Sequence, residues 1–291
     1  MLVTGGPATG TTALMTTTIR PTEPLQQGAD GAKSRTYDVC VNSRRVGRIR
    51  IATDASFGPA VGRIEELGID EADRGRGRGT VAALAAEEVL RGWGCGQVRL
   101  SLPADAEAAL RMAAALGYQE RSRNMVKRLP ATAPELPAGV SGRPMSEDEF
   151  ERWRAAAVES YARSWIEQGV PEEAARAKSA TEHHALLPDG VATAGTRLLV
   201  LEDRGSVVGS VWVARLAAPG EGSYVFDVQV AEEHRGRGHG RSLMLLAEGA
   251  ALADGMDTLG LHVVTGNTPA LRLYESMGHR VTQYHLYKHL L

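Results

Sequence analysis

Two short glycine–arginine segments constrain this chain more than anything else in it. Arg74-Gly75-Arg76-Gly77-Arg78-Gly79 and Arg235-Gly236-Arg237-Gly238-His239-Gly240 share the pattern R-x-x-G-x-G. Each follows a short apolar run and opens a stretch of helical periodicity. Strand, glycine loop and helix together form a phosphate cradle, because free backbone N–H groups and the positive end of the helix point at one spot. The second segment begins 161 residues after the first, Arg235 against Arg74. A gapless overlay of 66–117 on 227–278 gives 15 identities in 52 positions. Both stretches close on a helix-ending glycine, Gly117 and Gly278. The chain therefore reads as a duplication of one α/β unit.

Length and composition narrow the function. A chain of 291 residues suits two domains of ordinary size. A net charge of −2 and a pI near 6.5 argue against a nucleic-acid binder. Cys40 and Cys95 are the only cysteines, which gives neither a disulfide framework nor metal-ligand spacing and fits a reducing, cytoplasmic setting. No run of about 18 apolar residues occurs, so no membrane helix is expected. Residues 1–35, rich in Thr, Gly and Pro, are expected to be a disordered tail.

In the first copy, 37–41 and 46–53 predict a hairpin turning at Asn42-Ser43, 64–69 a strand, 80–90 a helix, 98–102 a strand and 106–116 a helix. Four prolines over 130–144 predict a linker. Ser146 and Glu149 predict a capping box opening a helix over 147–167, and Pro171 opens a second helix toward His184. A hairpin over 197–213, a strand over 224–230, a helix over 242–253, a strand over 259–264, a helix over 269–277 and strands over 281–289 complete the second copy. The first copy has no counterpart of the helices at 147–187.

Several residues carry possible chemistry. Asn267 and Tyr274 lie seven apart, with Pro269 at the start of the intervening helix, so they share one side of it. His183 and His184 face different sides of a helix and read as an incidental pair rather than a metal site. Trp153, Trp165 and Trp212 read first as core and second as lining of an acceptor pocket. No G-x-x-x-x-G-K-[ST] motif is present, which sets aside a nucleoside-triphosphate enzyme.

The succession V-x-x-x-x-RGRGHG, then N-x-x-A-x-x-LYE-x-x-G, resembles the GCN5-related N-acetyltransferase (GNAT) family. The resemblance implies two tandem GNAT domains, each a mixed, mostly antiparallel central sheet flanked by helices. It suggests a degenerate N-terminal domain over 36–129, a linker over 130–144 and a catalytic domain over 145–291. It further implies that Arg235, Gly236, Arg237, Gly238, His239 and Gly240, with Arg241 and Ser242, hold the pyrophosphate of acetyl-CoA. The strand from Val228 to Val230 would pair with the pantetheine arm, Asn267 would touch it, and Tyr274 would protonate the leaving thiolate. Acyl transfer to an amine also needs a base, and Asp227, one residue before Val228, is the candidate.

The first copy keeps the loop, with Arg74, Gly77 and Gly79, but has Ala113 at the position of Tyr274 and Ala106 at that of Asn267. The expected reaction is acetyl transfer from acetyl-CoA to a primary amine, on a small molecule or a peptide N-terminus, by direct attack in a ternary complex without metal. The chain is expected to be a monomeric pseudo-dimer or a homodimer, with no nucleic-acid or membrane partner. Two alternatives stand beside this reading. One is acetylation of a cysteinyl amine, as by mycothiol synthase, which has a similar tandem layout. The other is a non-catalytic acyl-CoA-binding regulator.

Overall fold

A computed structural model of the chain describes residues 16–28, 31–54, 57–167, 170–216 and 222–290. The first copy runs β1 (Thr17–Pro21), β2 (Gln26–Gln27), β3 (Lys33–Val41), β4 (Arg44–Asp54), β5 (Gly58–Ile69), α1 (Arg78–Gly92), β6 (Gln97–Pro103), α2 (Glu107–Ala115) and β7 (Gln119–Arg128). The second runs β8 (Val140–Pro144), α3 (Glu147–Ile166), α4 (Glu172–Leu186), β9 (Thr196–Asp203), β10 (Ser206–Arg215), β11 (Ser223–Val230), α5 (His239–Ala253), β12 (Thr258–Val264), α6 (Thr268–Ser276) and β13 (Arg280–His289).

Local chemistry fixes most of these elements. Both expected hairpins form, and their two-residue turns lie in the left-handed region that such turns require: Asn42 and Ser43 at φ 47° and 73°, Arg204 and Gly205 at φ 51° and 82°. Ser146 caps α3, accepting from the Glu149 amide at 3.3 Å while the Glu149 carboxylate accepts from the Ser146 amide at 2.8 Å.

The chain forms two compact units whose borders do not follow the linker. Of the described residues, those within 16–100, 110–119 and 287–290 form the first and those within 101–109 and 120–286 the second. In the first, β1, β3, β4 and β5 pair antiparallel in that order and β5 pairs parallel with β6. α1 buries Ala82, Ala86 and Leu90. It lies so close to β5 that a Cβ on Gly62 would sit 2.8 Å from Leu90. In the second unit, β8, β9, β10 and β11 pair antiparallel, β11 pairs parallel with β12, and β12 pairs antiparallel with β7, next to which lies β13. Its core is built from Leu201, Val211, Leu243, Met244, Leu259 and Leu261. A second cluster joins Phe150 and Trp153 of α3 to Trp212 of β10.

Four elements differ from the sequence reading. Residues 17–21 and 26–27 of the expected tail are strands paired to β3, while residues 1–15 lie outside the described residues. The end of the expected linker, Val140–Pro144, is a strand on β9. β7 was not expected at all: it is the last strand of the first copy in sequence, yet from Glu120 on it belongs to the second unit. In each case backbone pairing with a distant strand overrides weak local propensity.

A duplicated ion pair marks the same arrangement. In the second unit Lys127 of β7 meets Glu248 of α5 at 2.6 Å. In the first unit Lys288 of β13 meets Glu87 of α1 at 2.7 Å. Both members of each pair are related by the 161-residue offset, so each unit takes its lysine from the other copy.

Candidate active site

The second glycine loop folds as its sequence requires. Gly236 and Gly238 hold φ of 75° and 86°, a region open to glycine at little cost. A Cβ at either would meet no atom within 4 Å, so the space above the loop is clear. α5 starts directly after Gly238, and the first N–H groups of a helix have no partner inside it. This positive, open mouth suits a pyrophosphate. Arg235 folds back through Nε onto the Val230 carbonyl at 3.4 Å, Arg237 is exposed, and Arg241 donates to Ser276 Oγ at 2.7 Å. Two of the expected contacts lie deeper. Ser242 is buried, and so is His239, whose Nε2 is 3.8 Å from Asp203 Oδ2. Gly240 is close-packed: a Cβ there would approach Leu273 to 3.2 Å.

Beside the loop the sheet opens. β11 and β12 pair only from Ser223–Val225 to Leu259–Leu261, whereas β11 stays paired with β10 to Val230. Residues 226–230 therefore present one edge of backbone groups toward the gap, an edge that an extended ligand can complete. Val228 and Val230 pack partly buried against the core. The register between β10 and β11 slips by one residue, with Trp212 opposite Asp227 and Val213 opposite Val225, which leaves Phe226 as the extra residue of a bulge. Simple alternation along β11 does not survive this bulge.

Tyr274, on α6, is 5 % exposed and packs in the core cluster. Burial, with the Asp227 charge adding to it, pushes its hydroxyl up to about 12. The phenol thus holds its proton at neutral pH. Asp227 accepts a hydrogen bond from Trp153 Nε1 at 3.1 Å. Burial raises its carboxyl above the ordinary carboxylate range, against the opposing pull of the Trp153 bond, His183 and the Val228 amide. Asn267 stands just ahead of α6 as its N-cap, its Oδ1 accepting from the Ala270 amide at 3.2 Å. The Tyr274 ring lies 5.8 Å from His279, whose imidazole burial pushes down to about 4.

A cavity of about 580 Å³ adjoins Asp227, lined by α3, α4, β10, β11 and His262 of β12. Sequence reading passed over most of it. His183 is buried and faces this cavity, with Nδ1 2.9 Å from the Ser179 carbonyl, while its neighbour His184 is exposed. Trp212 lines the cavity and Trp153 holds Asp227, so two of the three tryptophans serve the site as well as the core. Tyr161 and Phe226 line it too, and only their helical spacing and the bulge, respectively, mark them out. Among the described residues no group of three or more His, Cys, Asp or Glu could hold a metal ion.

The first copy keeps the loop but not its surroundings. Gly75 and Gly77 both sit at φ 71°, and Arg74 folds onto the Ile69 carbonyl at 2.8 Å as Arg235 does onto Val230. Where the second copy has buried His239, the first has buried Arg78, paired with buried Asp73, which also takes two bonds of 2.8 Å from Arg44. Ala113 is fully buried at the Tyr274 position. At the bulge, Glu65 replaces Phe226 and binds Arg50 of β4 at 2.6 Å.

The sequence matches the Acetyltransferase (GNAT) family over residues 14–118 and again over 151–279. It is 35% identical over 219 residues to a mycothiol acetyltransferase of Thermobispora bispora, covering 70% of this chain and 68% of that one. It is 28% identical over 149 residues to YdgE of Bacillus subtilis, an uncharacterized N-acetyltransferase, covering 50% of this chain and 95% of that one. The fold is similar to that of a GCN5-related N-acetyltransferase from Sphaerobacter thermophilus, with a TM-score of 0.55, 22% identity and coverage of 87% and 80% of the two chains. A tandem GNAT protein of the clavulanic acid pathway shares it with a TM-score of 0.50 and 18% identity over 90% and 85%. No helix among the described residues is long and apolar enough to cross a membrane. The chain belongs to the GNAT acetyltransferase family, whose members generally use acetyl-CoA to acylate amines, and it matches that family twice.

Proposed function

We propose that the second copy, residues 145–291 completed by β7, transfers acetyl from acetyl-CoA to a primary amine by direct attack in a ternary complex. The observation that carries this reading is the convergence of the open β11 edge, the clear glycine loop and the Asp227–Tyr274 pair in one unit. Acetyl-CoA, as co-substrate, would supply an acyl group activated by its thioester. Amides from Gly236 to Gly240 and the guanidiniums of Arg235, Arg237 and Arg241 would hold its pyrophosphate, charge against charge. Asn267 retains its Nδ2 for the pantetheine arm while its Oδ1 caps α6.

The chemistry asks little more of the protein. A backbone amide of β11 between Asp227 and Val230 holds the carbonyl oxygen as negative charge grows on it. Asp227 takes the proton that the nitrogen loses as the C–N bond forms. Tyr274 gives its hydroxyl proton to the sulfur as the C–S bond breaks. Burial prepares both groups, the carboxyl becoming a stronger base and the phenol staying protonated. The first copy, 36–129, has no tyrosine acid and serves as a degenerate domain. Cys40 lies in β3 and Cys95 just ahead of β6, both buried, which supports direct attack over an acyl-enzyme. Initial rates of thiol release with varied acetyl-CoA and amine test this reading. Intersecting double-reciprocal lines are expected, and parallel lines would overturn direct attack.

The T. bispora relative supports a second reading, a mycothiol-type cysteinyl amine as acceptor. A cysteinyl amine in the same assay decides between them: it should be turned over faster than simple alkylamines only on the second reading.

A further inference from the structure

We infer that the acceptor is a primary amine carried on a flat, aromatic body, its ring seated on the aromatic wall of the cavity beside Asp227 and its ammonium directed at that carboxylate. The inference rests on the acetyltransferase reading and names the substrate class of its site.

The wall is continuous. Phe226 stacks on Trp212 with centroids 4.7 Å apart and planes at 23°. Tyr224 meets Phe226 edge-on at 5.2 Å. His183 lies 6.1 Å from Trp212, and Tyr161 lies 5.7 Å from His183. Rings in such a row offer their faces and edges to another ring at the separations aromatic pairs prefer.

Charge selects the other end of the ligand. Among the described residues no Lys or Arg lines the cavity. It contains two carboxylates, of which Glu182 is neutralised by Lys178 at 2.7 Å. Asp227 takes only the neutral Trp153 indole as a hydrogen-bonding side chain, and no ion pair among the described residues engages it. An ammonium entering here meets one uncompensated acid and a set of ring faces, both attractive to cations. The ammonium gives its first proton to solvent to become a neutral nucleophile, and the second, lost as the C–N bond forms, is taken by the same carboxylate.

The comparison within the chain shows that this wall is a specialisation of the second copy rather than a by-product of the fold. The bulge occurs in both copies at positions 161 apart, Glu65 and Phe226. In the first copy the cross-strand pair there is the ion pair Arg50–Glu65, with Arg63 also on Glu65 at 2.6 Å. In the second it is the stacked pair Trp212–Phe226. One backbone geometry thus presents salt-bridged polar groups in one copy and a stacked aromatic pair, with Phe226 exposed, in the other.

The test uses the full chain and three measurements. CoA is first titrated calorimetrically, then 2-phenylethylamine, ethylamine and glucosamine are each titrated into the CoA complex, and kcat/KM is measured with acetyl-CoA and each amine. The expected result is CoA binding, binding of 2-phenylethylamine, and a kcat/KM at least about tenfold above that for ethylamine or glucosamine, the scale on which an apolar pocket discriminates. Phe226→Ala and, at the rim, Tyr161→Ala should each shrink the 2-phenylethylamine to ethylamine ratio. The proposal is overturned if CoA binds but glucosamine or ethylamine is used as well as 2-phenylethylamine, or if the ratio survives in both variants. Failure of CoA to bind would instead remove the acetyltransferase reading, and the proposal with it.

Discussion

The two copies of this chain share the backbone of loop, bulge and helix and differ in the side chains around it. Both hold a glycine loop in left-handed conformation ahead of a helix, both carry a bulge four residues before the end of the strand that leads into it, and both part from the next strand after three parallel pairs. Both also secure that helix with a buried glutamate and a lysine from the other copy. Only the second surrounds this frame with Tyr274, Asp227, Asn267 and an aromatic cavity. The first has Ala113, exposed Glu66, Ala106 and a network of arginines and acids. The features retained twice are those that hold the fold together. The features present once are those that the proposed reaction needs.

The sharpest break between the copies is predicted at Asp227. Asp227→Asn should lower kcat/KM about 10²- to 10⁴-fold, the range expected for a general base, whereas Glu66→Gln should change it little. The pH profile gives the sign. The carboxyl must be ionised to accept a proton and burial raises its pKa, so kcat/KM should rise with pH through a midpoint above the ordinary aspartate value of about 4. That acid limb should vanish in Asp227→Asn.

Next comes the device the copies share. Lys127→Met leaves Glu248, 1 % exposed, without its cation and should cost about 3–5 kcal/mol in urea unfolding. Lys288→Met should do the same to Glu87. Adding Glu248→Leu to Lys127→Met should recover most of the loss. Loss in one copy alone would show that the ion pair is not common to both. For the same reason a fragment of residues 145–291 should not fold, since it lacks β7 and Lys127; a sharp two-state unfolding transition from that fragment would contradict the need for β7.

A smaller effect is expected at Tyr274. Tyr274→Phe should lower kcat about 10²-fold while leaving the acetyl-CoA Kd unchanged if the phenol has the proposed role at the departing sulfur. An unchanged kcat with a good amine would remove its role as the acid.

Much of the frame was legible in the sequence because its signals are local. Asn42-Ser43 and Arg204-Gly205 mark tight turns, Ser146 with Glu149 a cap, and Gly236 with Gly238 a loop that only glycine fits easily. Tyr274 and the glycine loop were legible as a motif and Asp227 as a candidate base one residue before Val228, and all three lie in the second unit. Elements defined by distant partners were not legible. β7, with the polar sequence QERSRNMVKR, shows no alternation and owes its place to β12 and β13. β1 lies in a Thr-rich stretch that only its pairing with β3 makes a strand. The cavity was hidden for a related reason. The bulge at Phe226 resets which residues of β11 face α3 and α4, so period-two reading could not pair Phe226 with Trp212. His183 read as half of an incidental pair because its neighbours come from three other elements.

The division of labour is tested most directly by counting acetyl-CoA sites on the intact chain by calorimetry, with Gly238→Val and Gly77→Val in parallel. Each substitution places a branched side chain at a φ it does not tolerate, in the second and the first loop respectively. The account predicts one site per chain, lost in Gly238→Val and kept in Gly77→Val. Two sites, or a single site that survives Gly238→Val, would contradict it.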